Sequence, residues 1–154
     1  MHFNLTLPMP YVKIYVHLIW STKNRVKYLD SPALRIKMWN HIRENAKEKG
    51  IHLDFVNGFI DHCHCLVSLR SDQTVKDIVH LIKGESSAWI NKQGIVNGHF
   101  GWQRGYFALG VSESRIEIVR NYIRNQEDYH RRKTWGEECE EFILRHGFEY
   151  LDED

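Results

Sequence analysis

Along this chain the apolar residues switch repeatedly between a spacing of two and a spacing of three to four, and a chain patterned that way must build a sheet with helices packed against it. In YVKIYVHLIW, from Tyr11 to Trp20, Val12, Ile14, Val16 and Leu18 alternate among β-branched and aromatic neighbours, which predicts a central strand. Asp30, Ser31 and Pro32 then supply a cap and a proline for a first turn. Leu34, Met38, Ile42 and Ala46 form the stripe of a helix ending at Gly50. From Ile51, IHLDFVNGFIDHCHCLVSL returns to alternation and predicts two antiparallel strands, with Asn57-Gly58 or Asp61 as turn material. Thr74 and Asp77 open a second helix carrying Val75, Ile78, Ile82 and Trp89. Gly94 and Gly98 mark a loop, and Trp102 to Ser112 reads as a strand weakened by Gly105. Ser114 and Glu117 form a capping box for a helix running to about Lys133. The remainder holds one apolar cluster, Phe142 to Leu144, and an acidic end at Asp152 to Asp154, so it reads as a small helix or arm.

This order predicts an α+β fold: a ferredoxin-like, split β-α-β sandwich, its antiparallel sheet carrying helices on one face plus an added C-terminal helix. With 154 residues and 42% hydrophobic content, the chain is expected to form one domain, residues 1–154, with its core at 11–133 and an arm at 134–154. Such a sandwich hosts many unrelated activities, so function must come from particular residues.

The 21 basic and 20 acidic residues leave a net charge of +1, which excludes a chain that binds nucleic acid through bulk charge. Local patches remain: Lys23, Arg25 and Lys27; Lys83 and Lys92; Arg131, Arg132 and Lys133. Each alone reads first as a solvated face. Three cysteines, Cys63, Cys65 and Cys139, are too few and too odd for a disulfide framework, and they suit a reducing cytoplasm. Met1 to Pro10 lacks the pattern of a signal peptide, and no apolar stretch is long enough for a membrane span. No GxxxxGK[ST] loop is present, so no nucleotide cofactor is expected.

His62 and His64 are two residues apart on a predicted strand, so both imidazoles leave one face and can meet one ion. Cys63 and Cys65 face the other way, toward a core. The pair alone would as readily be two polar residues on a sheet surface. The last long helix, however, carries Tyr122 and Gln126 at i and i+4, one above the other, with Tyr129 continuing the stripe. Ile116, Val119 and Ile123 give that helix an apolar edge for the sheet.

DHCHCLVSL from Asp61 to Leu69 and NYIRNQ from Asn121 to Gln126, supported by STKNR and LIKGESS, resemble the motifs of the single-tyrosine HUH transposases of small bacterial insertion sequences. The resemblance spans Tyr11 to Lys133; the middle of the histidine motif is usually a bulky aliphatic residue, so Cys63 departs mildly. It implies that His62, His64 and Gln126 hold a divalent metal, Mg²⁺ or Mn²⁺, with Mn²⁺ tolerating imidazole better. It implies that Tyr122 is the catalytic nucleophile, forming a 5′-phosphotyrosine with single-stranded DNA at hairpin-containing element ends. It also implies a homodimer in which the tyrosine helix of one subunit can serve the metal site of the other. Lys23, Arg25, Lys83, Arg104 and Arg131 are then candidate phosphate contacts, and Trp102 or Tyr106 candidate stacking platforms. Two other readings stand beside this one: a domesticated relative that cuts host repeat hairpins, and a non-catalytic single-strand nucleic-acid-binding module, although the aromatic signature of RNA-recognition sheets is missing.

Overall fold

The computed structural model describes residues 10–147. Its elements are β1 (Ile14–Ser21), α1 (Pro32–Glu48), β2 (His52–Phe59), β3 (His62–Leu69), α2 (Val75–Gln93), β4 (Phe107–Val111), α3 (Ile116–Arg124), α4 (Gln126–His130) and α5 (Trp135–His146). The strands form one sheet in the order β2-β3-β1-β4, with every neighbouring pair antiparallel. This is the expected α+β sandwich.

β1 and β3 are the central pair, and their register aligns Ile19 with His64, Trp20 with Cys63 and Ser21 with His62. Alternation then sorts the side chains. Val16, Leu18, Trp20, Cys63, Cys65 and Val67 enter the main core against Met38 and Ile42 of α1 and Ile78, Val79 and Ile90 of α2. Ile19 and Leu66 face the other way into two smaller clusters, with Ile116 and Ile123 of α3 and Trp135 and Phe142 of α5. The sheet therefore carries α1 and α2 on one face and the three later helices on the other.

The helix starts follow the capping residues. Ser31 Oγ accepts from the Leu34 N–H at 3.4 Å, and Thr74 Oγ1 from the Asp77 N–H at 3.1 Å. Ser114 does not act as a cap. Glu113–Arg115 forms a 3-10 turn, and the Ser114 hydroxyl pairs instead with that of Ser112 at 3.1 Å. The expected strand from Trp102 begins only at Phe107, with Trp102 making a single bridge to Thr22. Between them, the carbonyls of Gln103, Arg104 and Gly105 turn away to the Lys83 ammonium at 2.6, 3.1 and 3.0 Å, so they cannot serve a sheet ladder. The expected arm contains α5, capped by Thr134, whereas its acidic end at Asp152 to Asp154 lies outside the described residues. Among the described residues no helix is long and apolar enough to cross a membrane.

Of the two turn candidates in the hairpin, Ile60 and Asp61 make the turn, because Phe59 pairs with His62. Gly58 lies inside β2 and is there for space: a Cβ would fall 2.1 Å from the His62 carbonyl oxygen and 3.0 Å from the Trp39 ring. Gly58→Ala is expected to lower the unfolding free energy by about 1–3 kcal/mol, measured from urea denaturation midpoints.

Candidate functional site

The histidine pair is oriented from behind. His62 Nδ1 lies 2.9 Å from Asp61 Oδ1, and His64 Nδ1 lies 2.9 Å from His17 Nε2. Both Nε2 atoms are left pointing toward α4 and α5. Outer partners of this kind fix the ring orientation of metal-ligating histidines.

Gln126 meets them from α4. The expected continuous helix is broken at Asn125, where the Asn57 side-chain amide on β2 donates to the carbonyls of Ile123 and Arg124 at 2.9 and 3.2 Å. Beyond the break Gln126 Nε2 donates back to the Tyr122 carbonyl at 3.3 Å. Its Oε1 is thereby held 3.0 Å from His62 Nε2 and 3.1 Å from His130 Nε2.

Glu138 on α5 completes the cluster. Its Oε1 lies 3.0 Å from His64 Nε2 and its Oε2 2.7 Å from His130 Nε2. Burial alone would raise the Glu138 carboxyl, but His130 and His64 outweigh it and hold the group well below the usual carboxylate range. Ligand atoms of His62, His64 and Glu138 lie within 4.8 Å of one another. Glu138 is absent from the predicted site because it sits in a segment that reads only as a small helix or arm, where the Thr134 cap and the Trp135 to Phe142 spacing are the local signals.

Two features fit a cation at this point. A neutral imidazole has one N–H, so His62 cannot donate both to Asp61 and to Gln126; the second contact needs another proton or a positive ion. In addition, His64 Nε2 and both Glu138 carboxylate oxygens are buried without a hydrogen-bonding partner of proper geometry among the described residues, despite their proximity. A shared cation satisfies all three. His64 is also neutral and ready to ligate, since burial pushes its pKa down to about 4 against the opposing pull of Glu138. His17 is lowered as well, by burial and then by His64.

Tyr122 projects from α3 toward the same place. Its ring meets His64 edge-on at 5.5 Å between centroids, His17 at 6.1 Å and Tyr129 at 5.3 Å. It lines a cavity of about 380 Å³ between α3 and α5, together with Glu138 and Phe142. Burial, and then the Glu138 carboxylate, raise the phenol pKa well above its usual value, so the hydroxyl is protonated in this arrangement. α5 lies across the cluster: His62, His64 and Gln126 are fully buried and Glu138 is 1% exposed.

The basic residues divide. Lys23, Arg25, Arg104 and Arg131 are exposed, Arg131 pairing with Asp128 at 3.0 Å. Lys83 differs from the expected phosphate contact, because it is buried and its ammonium is engaged by three backbone carbonyls. Trp102 is likewise committed, donating from Nε1 to Ser86 Oγ at 2.9 Å and packing against Trp20 and Phe100. Tyr106 remains 38% exposed.

Residues 10–126 match the family described as IS200-like transposases. The ISDra2 transposase TnpA of Deinococcus radiodurans is 28% identical over 118 residues, covering 73% of this chain and 83% of that protein. Among solved structures, a candidate transposase from Deinococcus radiodurans R1 superposes with a TM-score of 0.58 at 25% identity, over 82% of this chain and 98% of that one. The REP-associated tyrosine transposase bound to a REP hairpin gives a TM-score of 0.60 at 14% identity, over 83% and 74%, a likeness of fold.

The neutral His64 makes stability depend on pH. Its folded value, about 4, lies below the ordinary 6.5, so between those limits the unfolded chain binds a proton that the folded chain refuses. Stability is therefore lost as pH falls through that window. For this residue the loss from pH 7 to pH 5 is about 2 kcal/mol, read from urea titrations in the presence of a chelator, and His64→Asn should remove that part of the slope.

Proposed function

The chain belongs to the IS200-like transposase family, and from that premise we propose that it cuts and rejoins single-stranded DNA at hairpin-bearing ends of an insertion sequence through a covalent bond to Tyr122. The observation that carries this reading is the meeting of Tyr122, on α3, with the histidine pair of β3 inside a single chain, ring against ring at 5.5 Å.

His62 and His64, through Nε2, and Gln126 and Glu138, through side-chain oxygens, would hold one divalent ion, a nitrogen and oxygen set that suits Mn²⁺ or Mg²⁺. When bound, such an ion supplies Lewis-acid polarisation of phosphodiester oxygens. The work of the chain's own groups can be stated separately. Tyr122 Oη attacks phosphorus and a bond from phosphorus to the phenol oxygen forms. The bond from phosphorus to the 3′ oxygen breaks, leaving a free 3′ hydroxyl and a 5′-phosphotyrosine. Because burial and Glu138 keep the phenol protonated, its proton must leave as attack begins and the departing 3′ oxygen must take one up; the Glu138 carboxylate, in the same cavity, is placed to relay that proton. The energy of the cut bond is retained in the phosphotyrosine, so a free 3′ hydroxyl can reverse the step on another end without a nucleotide cofactor.

His62, His64 and Gln126 are buried beneath α5, which carries Glu138, so a DNA phosphate reaches them only if that cover shifts. A homodimer is part of the same reading, and light scattering on the purified chain should give the mass of two copies.

Incubation with single-stranded DNA from the element's own ends and Mn²⁺ should yield a denaturation-resistant adduct. Tyr122→Phe should lose the adduct while binding DNA with unchanged affinity; an adduct that survives this change assigns the nucleophile elsewhere. His64→Ala should abolish metal-dependent cleavage and weaken Mn²⁺ binding by at least about tenfold, measured by calorimetry.

A further inference from the structure

A second concavity lies beside the cluster, on the far side of Trp135. It is a groove of about 540 Å³ at the place where β4 has not yet joined β1, between the turn at Lys23–Arg25, the Gln103–Phe107 segment and the first turn of α5. That volume is within the range of small organic ligand sites. Asn24, Arg25 and Gln103 form its polar rim, while Tyr106, Phe107 and Trp135 supply aromatic wall.

Its charge has one sign. Among the described residues Arg25 is the sole charged side chain in the lining, with exposed Lys23 and Arg104 just outside it in the chain. The guanidinium is aimed by unusual backbone: Asn24 and Arg25 both have φ of 56°, a left-handed conformation that costs on the order of 1–3 kcal/mol per non-glycine residue. It is enforced from outside the turn. The Thr22 N–H donates to the Asp61 carbonyl and the Lys23 N–H to the Gly101 carbonyl, each at 2.8 Å, while Thr22 Oγ1 donates to the Val26 carbonyl at 2.7 Å. Gly136 at the start of α5 leaves room for Arg25, since a Cβ there would sit 3.2 Å from Nη1.

One further observation points to an occupant. Tyr106 lines the groove and is 38% exposed, with the Lys83 ammonium 5.5 Å from its ring centroid. The groove also shares a wall with the metal cluster, because the Trp135 ring stacks on His62 at 4.5 Å and 18°.

We propose that this groove seats one unpaired nucleotide of the DNA strand, adjacent to the phosphodiester that Tyr122 attacks, with Arg25 on its phosphate and Tyr106 stacked on its base. The proposal rests on the DNA-cutting function above and adds a base-reading position to it. Arginine beside an exposed aromatic ring is the pairing that single-strand sites use, charge for the backbone and a ring for the base.

The test uses fluorescence anisotropy with a labelled single-stranded oligonucleotide from the element end, carrying one abasic residue walked through the sequence around the cut. One abasic position next to the cut should weaken binding by roughly five- to a hundredfold, and Tyr106→Ala should erase that dependence. Arg25→Ala should reduce the slope of log K against log salt by about 0.7, the share of one phosphate on a single strand, with Arg25→Lys restoring it. Both side chains are exposed, and thermal unfolding curves establish that the variants fold. An unchanged slope in Arg25→Ala, or an abasic scan without a position that depends on Tyr106, overturns the groove. Adduct formation on the same oligonucleotide reads the cutting function independently: an adduct with a flat scan removes the nucleotide site alone, whereas a position-dependent scan without an adduct keeps the site and removes the chemistry.

Discussion

The two-residue period of β3 is the constraint on which the rest of this molecule depends. One short segment, His62 to Cys65, must deliver thiols to an apolar core and imidazoles to a polar cluster. Only a strand covered on both faces does this. A slip of one residue against β1 would exchange the two sets. The register is defended by the tight turn at Ile60–Asp61, by Gly58 lying against the His62 backbone, and by Asp61, whose carbonyl accepts from Thr22 while its carboxylate holds His62.

Covering the polar face creates a demand of its own. Four polar side chains are withdrawn from water there, and buried polar groups must find partners. The protein meets this in layers: Asp61 and His17 behind the histidines, and the Tyr122 carbonyl behind Gln126. What is left over, His64 Nε2 and the Glu138 oxygens, converges on one point. The demand left unmet by protein atoms is thus spatially concentrated, as expected of a site built for a positive ion rather than for packing.

Local pattern was enough to read the sheet, the first two helices and their caps, because alternation, Ser31-Pro32 and Thr74 act within a few residues. Facing of His62 with His64, and of Tyr122 with Gln126, was likewise legible from spacing. Three features were hidden because each depends on a contact distant in sequence. The helix break at Asn125 is drawn by Asn57, the late start of β4 by Lys83, and the place of Glu138 in the cluster by α5 folding back over the sheet. A basic residue such as Lys83 is a surface group by composition, and only the three carbonyls around it make it a strut.

The segregation of sulfur from nitrogen on β3 has a consequence for metal choice. Read as letters, histidine and cysteine alternating over four positions suggest a soft, zinc-like coordination shell. The pleat undoes that suggestion. Cys63 and Cys65 stand 3.8 Å apart at their sulfurs on the far side of the sheet, with burial driving the Cys63 thiol pKa upward and away from thiolate. An ion at His62 and His64 would meet imidazole and side-chain oxygen and no thiolate from this strand, so the pleat alone withholds sulfur from the cluster, with no side chain assigned to that task.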